Sequence, residues 1–219
     1  MTRVALSFDN GPDPDVTPRV LDALAARGIR AHFFVLGRLL AAPAGRAAAE
    51  RARAEGHVLG NHSFSHETPL GDDPRPDAVA REIAATERLL GPLAAAPRLF
   101  RPFGGGGALG PHLLSPAAVD HLVAEGYSCV LWNSVPRDWD DPTGWPARAL
   151  ADCARGGHLL VVLHDVAGAC LAALPRFLDE ARGRGVEFVA DLPAACVPIE
   201  GGRVRADLAG LVRAPPGAT

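Results

Sequence analysis

Short apolar runs alternate with amphipathic stretches along the whole 219-residue chain. RVALSF (3–8) reads as a strand. VTPRVLDALAARG (16–28) has the apolar spacing of a helix, with Thr17 as its N-cap, Pro18 in its first turn and Gly28 at its end. The alternation continues with strands at 30–37, 57–62, 98–103, 127–133, 158–165 and 186–191. Helical spacing falls between them, at 41–56, 76–91, 115–126, 144–157 and 169–185, the last with a Pro in it. Ser115 and Pro116 form an N-cap and first-turn pair.

About seven strands separated by helical crossovers favour a parallel sheet, closed as a barrel or doubly wound. Polar residues gather where those strands end: Asp9 and Asn10, His62 and His66, Arg101, Asp138, then His164 and Asp165. In a parallel barrel these ends share one face, where chemistry is built. The domain is expected to span residues 1–198. Residues 199–219, ending in APPGAT, are expected to form a tail that is partly disordered at its end.

Composition narrows the classes. Apolar residues make up 48% and the net charge is −3, with no basic or acidic block. Neither nucleic acid nor a membrane surface is therefore an expected partner, and oligomeric state is not legible. No run approaches the roughly 20 apolar residues of a membrane span. MTRVALSF lacks the apolar stretch of a signal peptide, so a cytoplasmic location is expected. Cys129, Cys153, Cys170 and Cys196 form no CxxC pair and read as buried thiols in a reducing compartment.

HSFSH places His62 and His66 four apart, a spacing that on a helical turn lets two imidazoles share a metal. The alternative is a hydrogen-bonded loop pair. Asp9 can serve as a base toward metal-activated water. Its neighbour Asn10 offers only a neutral carbonyl oxygen, and FDNGPDP taken alone also marks a turn. Arg101 suits orientation of a carboxylate or a surface ion pair. Gly104–Gly107 reads as a mobile loop able to approach a ligand closely. Trp139 suits an apolar wall or ordinary packing. Asp138 could pair with Arg101 or a His. His164, at the mouth of an apolar strand, suits a general acid or a rim hydrogen bond. Asp165 either fixes its tautomer or caps the next turn.

SFDNGP, HSFSH, RPFG, WNSVPRDW and LLVVLHD, in this order, resemble the five motifs of the polysaccharide deacetylase family with the NodB homology domain, carbohydrate esterase family 4. The resemblance runs from about Val4 to Asp191. It implies an α/β fold, a distorted (β/α) barrel of about seven parallel strands, and metal-dependent removal of acetyl groups, usually with zinc. It assigns Asp9 as general base and His62, His66 and Asn10 as metal ligands. Arg101, helped by Asp138, orients the base. The Phe103 N–H binds the oxyanion, Leu163 and Trp139 line the acetyl pocket, and His164 is the general acid.

Asn10 departs from that pattern, since the family carries a second Asp there. A weaker working site, a site completed by another residue, and a non-catalytic relative all stay open. His32 is a candidate completer. The expected ligand is an N-acetylated carbohydrate or, with the same chemistry, a small amide. The alternative is a carbohydrate- or small-ligand-binding protein with a weakened metal site.

Overall fold

Strand β1 (Arg3–Asp9) pairs in parallel with three other strands of the sheet. Its outward residues Val4, Leu6 and Phe8 join a core beneath the helices, while Ala5 faces a separate interior cluster with Phe34, Leu99, Val130, Leu160 and Cys196. The period-2 alternation of a strand therefore sends Ser7 and Asp9 inward. Each outward apolar side chain stabilises the layer by about 1.5–3 kcal/mol. The computed structural model describes residues 1–214.

The chain runs from β1 through α1 (Thr17–Ala25), β2 (His32–Val35), α2 (Gly37–Leu40), α3 (Pro43–Ala54) and β3 (Val58–Asn61). It continues through α4 (Ala85–Leu90), β4 (Leu99–Phe100), α5 (Pro116–Ala124), β5 (Ser128–Cys129), α6 (Trp145–Ala154), β6 (His158–His164), α7 (Leu174–Gly183) and β7 (Glu187–Val189). These seven strands pair in parallel, in the order β6-β1-β2-β3-β4-β5, with β7 beside the first half of β1. The chain after β5 closes the curl. Ser134 bridges Val161, and the Asn133 side chain accepts from the Leu160 N–H and donates to the His158 carbonyl. One bridge and one amide do the work of a strand there, which is the distortion of the barrel.

Several local expectations are corrected. Thr17 is not an N-cap. Val16 holds that position without a side-chain bond, and Thr17 is buried inside the first turn. The expected helix at 76–91 winds as a π-helix at Ala80–Ala84 before α4. The helix expected over 169–185 starts at Leu174, which moves its Pro to the first turn, where a missing N–H costs nothing. Ser115 does cap α5, accepting from the Ala118 N–H at 3.2 Å.

The expected tail is also structured over much of its length. β8 (Ile199–Glu200) pairs antiparallel with β5, and β9 (Arg203–Val204) pairs with β8. Val212 bridges Leu114. The expected fraying at the extreme end, 215–219, lies outside the described residues.

Candidate active site

β1 and β6 pair with Asp9 opposite His164. The ends of β1, β3, β4 and β6, and the loop after β5, meet at one mouth. A cavity of about 330 Å³ opens there, lined among others by Asp9, Asn10, His62, His66, Phe103, Trp139 and His164.

Arg101 is fully buried, so the surface ion-pair reading is set aside. Its Nη1 donates to Asp9 Oδ1 at 2.7 Å and to Ser7 Oγ at 2.8 Å. Nε and Nη2 reach the carbonyls of Val130 and Leu131, and the guanidinium lies 4.0 Å from the Phe34 ring centre. A buried charge is tolerable only when paired and hydrogen-bonded in this way. Burial alone would raise the Asp9 carboxyl. The Arg101 charge and hydrogen bond, with smaller help from His164, outweigh it and hold Asp9 below its usual range.

His62 Nδ1 lies 2.8 Å from the Arg101 carbonyl. A carbonyl only accepts, so Nδ1 carries the proton and Nε2 keeps its lone pair. That Nε2 stands 3.7 Å from Asp9 Oδ2. Burial lowers the pKa of His62, and burial with the nearby His62 lowers His66 to about 3. Both rings are neutral donors at pH 7.

The pair is not on a helical turn, as its spacing suggested. Residues 62–66 form a loop with Ser63 at φ 70° and His66 at φ 59°. Two side chains unflagged in the sequence hold it. Glu82, buried in the π-helix, accepts from the N–H groups of Phe64 and Ser65 and from Ser65 Oγ. Asn61 accepts from the Ser63 N–H and donates to the Ile83 carbonyl. The π-helix is a geometric device often found at functional sites. No spacing rule marks a helical Glu as internal; its apolar neighbour Ile83 was the only signal.

Asp138 does not touch Arg101. It is fully buried, and its two oxygens take the His164 N–H and His164 Nδ1, each at 2.8 Å. Asp138 therefore fixes the His164 tautomer, not Asp165. Burial disfavours the charged imidazole, yet the Asp138 hydrogen bond and charge raise its pKa above 6.5. Asp165 turns away, accepting from Gly11 and Thr17.

Trp139 stands edge-on to His164 at 4.8 Å between ring centres. Leu163 does not line the cavity. It is buried beneath the helices, because strand alternation turns Val162 and His164 inward and Leu163 outward. His32 does not complete the site. It opens β2, at the opposite end of the barrel from the mouth, and lines a different depression; burial and then the Arg101 charge lower it to about 4. The four glycines line the mouth, and the first and last of them are tied down. The Gly107 carbonyl takes the Trp132 indole N–H, and a Cβ on Gly104 would lie 2.5 Å from the Trp132 ring.

Among the described residues, no group of three or more His, Cys, Asp or Glu side chains is arranged to hold a metal. Asn10 supplies what that set lacks. Its Oδ1 is buried without a hydrogen-bond partner, and the residue lines the same cavity as the two His. An orphaned amide oxygen costs free energy unless something positive meets it. Two neutral imidazoles and this oxygen fit a divalent cation.

A family model described as polysaccharide deacetylase matches residues 2–108. A peptidoglycan-N-acetylglucosamine deacetylase of Bacillus cereus is 31% identical over 193 residues, covering 85% of this chain and 84% of that protein. A chitooligosaccharide deacetylase of Rhizobium leguminosarum bv. trifolii is 32% identical over 167 residues, covering 74% and 71%. The solved family 4 acetyl xylan esterase of Clostridium thermocellum, in complex with cobalt, superposes with a TM-score of 0.66 at 30% identity, covering 85% of this chain and 87% of that one.

Proposed function

The chain belongs to the polysaccharide deacetylase family, and on that premise we propose that it hydrolyses the acetamide of an N-acetylated carbohydrate, yielding acetate and a free amine. The observation that carries the reading is the facing of Asp9 Oδ2 and His62 Nε2 beside the unpartnered Asn10 oxygen. Members of the family are generally divalent-metal dependent, and His62, His66 and Asn10 would hold the ion, with zinc suited to such a set. When bound, it supplies Lewis acidity that polarises the acetyl carbonyl and acidifies water.

The chain's own residues account for the proton movements. Asp9, kept ionised by Arg101, takes a proton from the water that attacks the acetyl carbonyl. The Phe103 N–H donates to the developing oxyanion. His164, charged and held by Asp138, gives its proton to the amine as the C–N bond breaks. Trp139 walls the acetyl group on the His164 side.

A non-catalytic binding role has one observation in its favour: Asn10 is neutral where the family pattern has a carboxylate. The filled positions of Asp9, Arg101 and His164 favour catalysis over it. Four unpaired, buried cysteines support a reducing compartment, and a cytoplasmic site favours soluble oligosaccharides or small amides as substrates. Among the described residues no helix is long and apolar enough to cross a membrane.

The test is metal content measured together with acetate release from N-acetylated chitooligosaccharides and peptidoglycan fragments, with and without added Zn²⁺ or Co²⁺. Metal-dependent release that vanishes in Asp9→Ala supports the reading. Bound metal without release on any substrate favours the binding role.

A further inference from the structure

Asp165 follows the general acid in sequence, yet the chemistry above makes no use of it. It is 1% exposed. Oδ1 accepts from the Gly11 N–H at 3.1 Å, and Oδ2 from Thr17 Oγ1 at 2.5 Å. Thr17 Oγ1 in turn accepts from the Asp13 N–H at 2.8 Å. One carboxylate at the end of β6 thus grips the segment carrying Asp9 and Asn10 at two points, just past β1 and at the start of α1. Burying it is costly, and burial raises its pKa to about 7. The approach is close: a Cβ on Gly11 would lie 2.6 Å from Asp165 Cγ, so only glycine fits. Just before these anchors Asn10 holds φ 73°, a left-handed conformation that Asn adopts more readily than other non-glycine residues.

We infer that Asp165 is a positioning residue. Through Gly11 and Thr17 it locks the Asp9–Asn10–Gly11 turn, so that the Asn10 oxygen and the Asp9 carboxylate stay opposed to the two imidazoles. It touches no reacting atom. Its role is larger here than a charged ligand would require. A carboxylate attracts a cation over several ångströms, whereas a neutral amide contributes only when its dipole is aimed. The inference rests on the metal-dependent deacetylase reading.

Four full-length variants test it: Asp165→Ala, Asp165→Asn, Gly11→Ala and the Gly11→Ala/Asp165→Ala double. The readouts are Co²⁺ affinity by chelator competition, kcat and KM for acetate release, and hydrogen exchange over residues 8–13 of the metal-free protein. Asp165→Ala should weaken Co²⁺ binding by about 10–100-fold, the range of lost supporting contacts around a metal. It should lower kcat with KM nearly unchanged and speed exchange in 8–13 alone. Asp165→Asn should keep most function, since its oxygen can take the Gly11 N–H while its amide donates to Thr17. Gly11→Ala should match Asp165→Ala, and the double should be no worse than either single, because the lost carboxylate leaves room for the methyl. Additive losses, or unchanged exchange and Co²⁺ affinity in Asp165→Ala, would overturn the inference. If Asp165→Ala does not fold, Thr17→Val removes one anchor and should move the same readouts less far, with no movement overturning it. Wild-type protein that binds Co²⁺ but releases no acetate sinks the deacetylase reading, while the affinity and exchange measurements still judge Asp165.

Discussion

Asp9 Oδ2 and His62 Nε2 face each other across 3.7 Å, and neither carries a proton at neutral pH. An ionised carboxylate and an imidazole lone pair do not attract each other, so the contact is no ion pair. It is a gap that a cation or a water can fill. His62→Ala should therefore abolish metal binding and acetate release together. Asp9→Asn should retain metal and lose about 10²–10⁴-fold in kcat, the usual scale for a general base. Metal analysis and steady-state kinetics on the two variants check the separation.

Asn10→Asp restores a charged oxygen to the ligand set. Metal affinity should rise by at least about tenfold, as expected when a formal negative charge joins two neutral donors. Chelator competition measures it. Unchanged affinity would mean that residue 10 does not reach the ion.

The proposed reaction needs Asp9 ionised and His164 protonated. Asp9 lies below 3.8 and His164 above 6.5, so kcat/KM should plateau between them and fall on both sides. Asp138→Asn removes the charge that raises His164, so the basic limb should move down. Stability follows the same signs. The raised His164 stabilises the fold fully below about 6.5, and this is lost as pH rises through its folded value. The lowered Asp9 stabilises the fold above 3.8, and this is lost as pH falls through its folded value. Thermal melts across pH 3–9 with and without Asp138→Asn check both.

Arg101→Met leaves Asp9 buried without its partner. Asp9 should then shift up, moving the acid limb of the rate profile toward neutrality, and the fold should lose about 3–5 kcal/mol at pH 7. Denaturant titration and the pH profile report the two effects independently.

Glu82→Ala strands the N–H groups of Phe64 and Ser65. Each unpaired buried donor costs about 1–3 kcal/mol, and the His62–His66 loop should loosen. Metal affinity should fall while the Asp9 pH limb stays in place, which separates this change from Arg101→Met.

Much of this was legible in the sequence because periodicity and strand ends carry it. The alternation of runs located all seven parallel strands, and the ends of those strands located Asp9, His62, Arg101 and His164. What escaped is set by distance along the chain rather than by local pattern. Asp138 and Asp165 both lie near His164, and only the folded path of the loop after β5 decides which one meets its Nδ1. Leu163 missed the cavity through parity, a fact readable from Val162 and His164 once the inward face of β6 is known. Glu82 looks like any surface helical Glu until the loop it serves folds over it. His32 opens its strand instead of ending it, and so faces the wrong rim. The APPGAT ending made the last segment read as a tail, yet Gly201 and Gly202, both at positive φ, form the turn between two paired strands.

That hairpin has a consequence for how the molecule behaves among its copies. β5 is only two residues long, and without β8 beside it the sheet would end on an unpaired strand flanked by apolar Tyr127, Val130 and Leu131. Such an edge invites pairing with a neighbouring chain and, from there, aggregation. β8 covers it, and β9 ends the sheet in two exposed residues next to the Glu200–Arg205 ion pair. Short length and charge make a poor template for a further strand. β8 and β9 thus shield a sheet edge away from the cavity, whose lining they do not join.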